Sequence, residues 1–126
     1  MRAEEFEIIL DHYRHPRNFG ELPEANARAR LTNQLCGDIV EIFMRIEDDK
    51  IAEVKFRGRG CALSQASASM LTEKLKGMSL KEAMSLDEQD IMRMLRVKVG
   101  PTRRGCALLP LNALKKALEY YMKRRG

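Results

Sequence analysis

Two stretches of strict alternation mark the middle of the chain. Val40, Ile42, Met44 and Ile46 alternate with Glu41 and Arg45. After Glu47-Asp48-Asp49-Lys50, the residues Ala52, Val54 and Phe56 alternate with Glu53, Lys55 and Arg57. Successive side chains on a strand point to opposite faces, so each arm has one apolar face and one charged face. The pattern predicts an antiparallel hairpin covered on one side only. Residues 21–30 are rich in Glu, Ala, Asn and Arg and read as a connector into a first short strand.

Helical spacing dominates elsewhere. Phe6, Ile9, Leu10 and Tyr13 predict a helix over residues 4–13, ended by His15-Pro16-Arg17-Asn18. Gly58-Arg59-Gly60 breaks the second hairpin arm, and residues 62–76 then run without Pro or Gly as far as Gly77, a predicted C-cap. The small residues Ala62, Ser64, Ala66, Ser67, Ala68 and Ser69 let that helix approach the sheet closely. Residues 80–95 predict one or two shorter helices, split at Ser85 as an N-cap. A last helix follows Cys106, with Leu111, Leu114, Leu118 and Tyr121 on one stripe. Pro110 is compatible if Cys106 is the N-cap, because the first helical N–H groups have no intrahelical partner. The fold class is α+β: a small antiparallel sheet packed against several helices.

Composition narrows the classes. At 126 residues the chain is expected to form a single domain over 1–126, large enough for a core without disulfides. An apolar fraction of 44% with 33% charged residues excludes the disordered and membrane classes. No apolar run is long enough to span a bilayer, and residues 1–20 mix acids and bases throughout, so no leader is expected. A reducing cytoplasm is the expected location. There, three cysteines point to free thiols or metal ligands.

Charge is uneven. Residues 93–126 carry ten bases against the single acid Glu119, although the whole chain is only +5. A basic C-terminal third predicts an acidic partner. Nucleic acid is not expected, because this region offers only Tyr120 and Tyr121 as aromatics and matches no binding motif. Arg103 and Arg104, beside Cys106, are assigned to docking an acidic protein.

The chemistry lies in Cys36, Cys61 and Cys106, separated by 24 and 44 residues, with Gly37-Asp38 following the first. Three soft thiolates and one carboxylate fall one thiolate short of the shell that holds an iron–sulfur cluster permanently. Such a set suits brief holding. Cys61 and Cys106 are both expected at helix N-termini, where the helix dipole lowers a thiol pKa. Gly37, Gly58 and Gly60 are expected to bring backbone close and leave room for an inorganic group. The same donors fit tetrahedral zinc, and sequence does not separate the two metals. His12 and His15 lack ligand spacing to any cysteine and are assigned to capping or packing. Met70, Met78, Met84, Met92 and Met94 are assigned to core and interface filling.

Three segments carry a family resemblance. Asp11-His12-Tyr13 with Pro16-Arg17-Asn18, then Asn33-Gln34-Leu35-Cys36-Gly37-Asp38, then Gly60-Cys61-Ala62-Leu63-Ser64-Gln65-Ala66-Ser67-Ala68-Ser69-Met70 resemble the IscU/NifU/SufU iron–sulfur cluster assembly scaffolds. Lys76-Gly77, Glu82-Ala83 and Cys106 continue the match along nearly the whole chain. The resemblance implies a three-stranded antiparallel sheet packed with helices, and cysteines clustered at one exposed end. It implies Cys36, Cys61 and Cys106 as cluster ligands, Asp38 as the site aspartate, and Cys106 as acceptor of persulfide sulfur. It also implies a labile cluster, most simply 2Fe–2S, a cysteine desulfurase as sulfur donor, and apo iron–sulfur proteins or carriers as recipients. The chain would act as a monomer or homo-oligomer, a scaffold and not an enzyme.

Two departures bear on subtype. Gly105 stands where the IscU branch has a histidine, and Val99-Gly100-Pro101-Thr102-Arg103 replaces that branch's Leu-Pro-Pro-Val-Lys. A dedicated Hsp70-type chaperone is therefore not expected. The SufU branch also lacks the histidine, but it carries an insertion between the second and third cysteines that is absent here. A fourth ligand must come from Asp38, water, a partner or a second copy. Carboxylate suits cluster iron less well than thiolate, so Asp38 is expected to make the site labile. The alternative function is a zinc-binding sulfur acceptor that serves the desulfurase.

Overall fold

The computed structural model describes residues 3–125 and has the order α1 (Ala3–Arg14), β1 (Ala27–Asn33), β2 (Asp38–Glu47), β3 (Lys50–Arg59), α2 (Ala62–Leu75), α3 (Leu80–Met84), α4 (Glu88–Leu95) and α5 (Pro101–Arg125). The strands form one antiparallel sheet in the order β1-β2-β3. This is the expected α+β architecture. Among the described residues, no helix is long and apolar enough to cross a membrane.

The hairpin keeps its predicted alternation in β2 and loses it once in β3. Asp48 and Asp49 both take positive φ (51° and 61°), giving a tight two-residue turn of the type that matches strand twist. The register then slips beside Arg45 and Ile46: Arg45 faces Glu53 while Ile46 faces Ile51. Ala52 is the extra residue of this bulge. Ile51 therefore enters the core, fully buried, and Ala52, predicted inward, is only half-buried.

The inner sheet face meets α2 and α5, and α1 packs on α2. The outer face is charged, as predicted, with Arg57 on Glu41 and Glu21 and Arg45 on Glu47 and Glu53. Phe43 is the exception on that face. It is buried under long basic side chains, with the Arg57 guanidinium 5.6 Å from its ring centre.

Helix α2 is buried on most sides, and its buried polar residues are bonded within the protein. Ser67 Oγ donates to the Ala107 carbonyl at 2.8 Å, and Ser69 Oγ meets His12 Nδ1 at 2.8 Å and accepts from the Arg17 N–H at 2.9 Å. His12 is thus a packing residue, and burial pushes its pKa down. In α1 the inner face is Ile9 and His12, while Phe6 and Tyr13 of the predicted stripe stay exposed. Gly77 has positive φ as expected of a helix end, but Lys76 is the C-cap and the Gly77 N–H goes to the Ile51 carbonyl. The chain does split at Ser85. Ser85 is however the C-cap of α3, while Ser79 and Asp87 form capping boxes that start α3 and α4.

The largest correction concerns α5. It begins at Pro101, so Cys106 lies inside the helix and is not its N-cap. Proline fits a first helical position, which explains the earlier start. Pro110 is then interior and has no N–H for the Cys106 carbonyl one turn back. The Ser67 hydroxyl on the neighbouring Ala107 carbonyl supplies a bond from outside the helix. The predicted stripe holds, with Leu111, Leu114 and Leu118 buried and Tyr121 packed against the core.

Candidate metal centre

Three elements converge at one end of the sheet. Cys36 rides the turn between β1 and β2, where Cys36 and Gly37 both give their N–H groups to the Asn33 carbonyl, at 3.2 and 2.7 Å. Gly37 holds φ +73° there with open space around it, and Cys36 is exposed. Asp38 opens β2 opposite Asn33 and is almost fully buried at 1% exposure. Cys106 arrives from the interior of α5 and is equally buried, also 1% exposed.

The sulfurs of Cys36 and Cys106 stand 3.0 Å apart. Both lie with an Asp38 carboxylate oxygen in a group whose ligand atoms are all within 4.8 Å of one another. Cys61 does not join that trio. It is the N-cap of α2, as predicted, and it is tied to the trio through Asp38. The Cys61 N–H donates to Asp38 Oδ1 at 2.9 Å and its thiol to Asp38 Oδ2 at 3.4 Å. The Ser64 hydroxyl lies 3.9 Å from the Cys61 sulfur and donates to the Cys61 carbonyl at 3.2 Å. Asp38 is therefore the hub of the group.

Gly60 explains how Asp38 fits. Its φ is +144°, and a Cβ there would lie 2.6 Å from Asp38 Cγ. The space cleared by Gly60 is filled by the carboxylate, not by an inorganic group as the sequence suggested. Gly58 in turn allows close approach to the Ile39 backbone.

Electrostatics separate the groups. Burial would raise the Asp38 carboxyl, but hydrogen bonds from the Cys61 N–H, the Cys106 and Cys61 thiols and Ser64 outweigh it and hold it below the usual range. Burial pushes the Cys106 thiol well up, reinforced by Cys36 and by the Asp38 charge. The expected helix-dipole activation of Cys106 is thus overturned, because its sulfur lies mid-helix, desolvated, and next to a carboxylate.

The donor set fits a thiolate-seeking metal. Two sulfurs at about 2.3 Å from a tetrahedral ion stand about 3.8 Å apart. The pair at 3.0 Å must open slightly, and the exposed Cys36 turn is the side free to move. Among the described residues, no histidine belongs to the ligand group. Asn33 was quoted in the sequence only as part of a motif, and no signal there pointed to its Nδ2, which lies 3.7 Å from the Cys106 sulfur. Of the two arginines assigned to docking, Arg104 pairs with Glu88, while Arg103 has no acidic partner among the described residues.

Known proteins resemble this chain over most of its length. The IscU scaffold protein of Aquifex aeolicus is 35% identical, over 100% of this chain and 81% of its own length. The zinc-dependent sulfurtransferase SufU of Bacillus subtilis is 33% identical, over 89% of this chain and 87% of its own. A crystal structure of a putative SUF-system cluster assembly scaffold from Fervidobacterium islandicum superposes with a TM-score of 0.74 at 33% identity, covering 89% of this chain and 94% of that one. Residues 4–126 match the description NifU-like N terminal domain, and the chain belongs to that family.

Proposed function

We propose that the protein is a scaffold on which a labile iron–sulfur cluster, of the 2Fe–2S type, is assembled and then passed to apo-proteins or carriers. Iron and desulfurase-derived sulfur are its inputs. The observation that carries this is the convergence of Cys36, Cys106 and Asp38 within 4.8 Å, with Cys61 bonded to the same carboxylate. Relatives named as IscU scaffolds support it. The chain turns nothing over. It works in the cytoplasm, where free thiols persist.

The burial contrast suggests an order for sulfur delivery. A partner's persulfide meets Cys36 first, because Cys106 is enclosed. The Cys36 thiolate attacks the terminal sulfur, forming Cys36–S–SH and releasing the donor thiolate. Cys106, 3.0 Å away, then loses its proton as its sulfur attacks that terminal sulfur, and the departing Cys36 thiolate takes that proton up. Cys106 thus becomes the final acceptor, with Cys36 as its entry port. Arg103, Lys98 and Arg96 on the same basic third offer docking charge for an acidic donor.

The test is anaerobic incubation with a cysteine desulfurase, cysteine and ferrous iron. A labile visible chromophore with near-equal iron and acid-labile sulfide, lost in Cys36, Cys61 or Cys106 variants, supports the scaffold. Asp38→Ala should slow transfer of that cluster to an apo-acceptor; unchanged or faster transfer removes Asp38 from the release step.

A second function has its own support. The zinc-dependent SufU relative and the absence of a fourth thiolate favour a zinc-bound sulfur acceptor. Tight zinc, no chromophore, and persulfide on Cys36 or Cys106 would establish it over the scaffold.

A further inference from the structure

Asn33 touches every part of the trio. Its backbone carbonyl gathers the N–H groups of Cys36 and Gly37 at 3.2 and 2.7 Å, which shapes the exposed turn. Its side-chain Oδ1 accepts the Leu35 N–H at 3.1 Å. That bond fixes the amide's orientation and aims Nδ2 at the Cys106 sulfur, 3.7 Å away and 73 residues further along the chain. Its strand pairing sets it opposite Asp38. Among the described residues outside the trio, Asn33 alone hydrogen-bonds both the Cys36 turn and the Cys106 sulfur.

Gly105 is the complement to that amide. It lies inside α5 with no positive φ to require glycine, in a helix interior where alanine is ordinarily the better residue. A Cβ at Gly105 would stand 3.0 Å from Asn33 Nδ2. The amide is held at its other end by Leu35, so yielding to a Cβ would stretch one of its two bonds. The missing side chain is explained by the amide it admits.

We propose that Asn33 is the positioning residue of this centre, holding the Cys36 turn and the Cys106 sulfur in one frame, with Gly105 kept bare to admit its amide. The N–H···S bond strengthens when Cys106 becomes a thiolate, since a donor to an anion is charge-assisted. It also draws electron density from a metal-bound sulfur, as outer partners of metal ligands do. This rests on the proposed metal-binding function of the site.

The test uses Co²⁺ alone as probe, on the full chain, reading thiolate-to-cobalt charge-transfer absorption and affinity by chelator competition. Asn33→Ser keeps a side-chain oxygen near Leu35 but is too short to reach the Cys106 sulfur. Asn33→Ala loses both. Each should weaken Co²⁺ binding about 10-fold or more and shift the charge-transfer band. Melting of the metal-free Asn33→Ser protein by circular dichroism should stay near wild type, which separates positioning from folding. Gly105→Ala should weaken binding in the wild-type background and change it less than about twofold beside Asn33→Ser, because the two act through one contact. Co²⁺ binding and band position unchanged in Asn33→Ser, or Gly105→Ala equally costly with and without Asn33, would overturn the inference. A wild-type chain that shows no thiolate-to-cobalt absorption would instead overturn the metal-site function on which it stands.

Discussion

The two sulfurs nearest each other in this protein are held in opposite ways. Cys36 sits on a solvent-exposed turn with open space around Gly37, beside Leu35, which is 98% exposed. Cys106 is locked inside α5, 1% exposed, among residues of the main core. One sulfur can move and meet a partner; the other cannot. A rigid buried ligand sets where a metal can sit, and a mobile exposed ligand lets it enter and leave. Asp38 joins the halves, because it pairs with the turn's base at Asn33 and grips the start of α2 through Cys61.

The strongest way to break this contrast is to collapse the joint between the halves. Gly60→Ala drives a Cβ into the Asp38 carboxylate at a backbone conformation that disfavours side chains. It should destabilise the fold by about 3 kcal/mol or more and abolish Co²⁺ binding, read by urea unfolding and cobalt absorption. Retained binding with a wild-type midpoint would mean that Asp38 has another way to seat.

Next in size are the two cysteines themselves. Cys106→Ala leaves a small cavity under α5 and should cost about 1–2 kcal/mol. Cys36→Ala removes an exposed group and should stay within about 0.5 kcal/mol. Both should abolish the cobalt band. Equal unfolding midpoints for the two variants would erase the contrast between a rigid and a mobile ligand.

Alkaline pH sharpens the same difference. The folded Cys106 thiol is raised above its ordinary value of 9.0, so the folded state binds that proton more tightly than the unfolded state does. Its contribution to stability is complete below about pH 9 and falls as pH rises above it, by up to about 1.4 kcal/mol per unit. Thermal melts of the metal-free protein across pH 8–11 should show this loss, and Cys106→Ala should flatten it. An identical slope in both proteins would place the alkaline transition elsewhere.

The smallest expected effect is at the turn's tip. Leu35→Ser should change stability by less than about 0.5 kcal/mol, since the side chain buries almost nothing. A larger loss in a melt would show that the turn is less free than its exposure implies.

Much of the architecture was legible along the chain. Period-two alternation located the β2–β3 hairpin and its wet face, and helical spacing located α1, α2 and the α5 stripe. The four site residues were named from residue type and motif, and three of them do meet. What failed shares one cause. The inward turn of Ile51 depends on a bulge against Arg45 and Ile46, which no local pattern encodes. Cys106 was set at a helix start, a placement that would have accommodated Pro110, yet Pro101 starts the helix and Ser67 of another helix supplies the bond on Ala107. Gly60 was given to an inorganic group, but Asp38 occupies its space.

Local chemistry, repeated every two or 3.6 residues, determined which segments are strands and helices and which side chains are soft ligands. Only tertiary packing decided that Cys106 is buried and hard to ionise while Cys36 is open. It alone also decided that Asp38 binds Cys61 through Gly60's bare edge, and that Asn33 reaches α5 beside Gly105. Those outcomes depend on steric fit and desolvation between groups tens of residues apart, and neither quantity exists until the chain has folded.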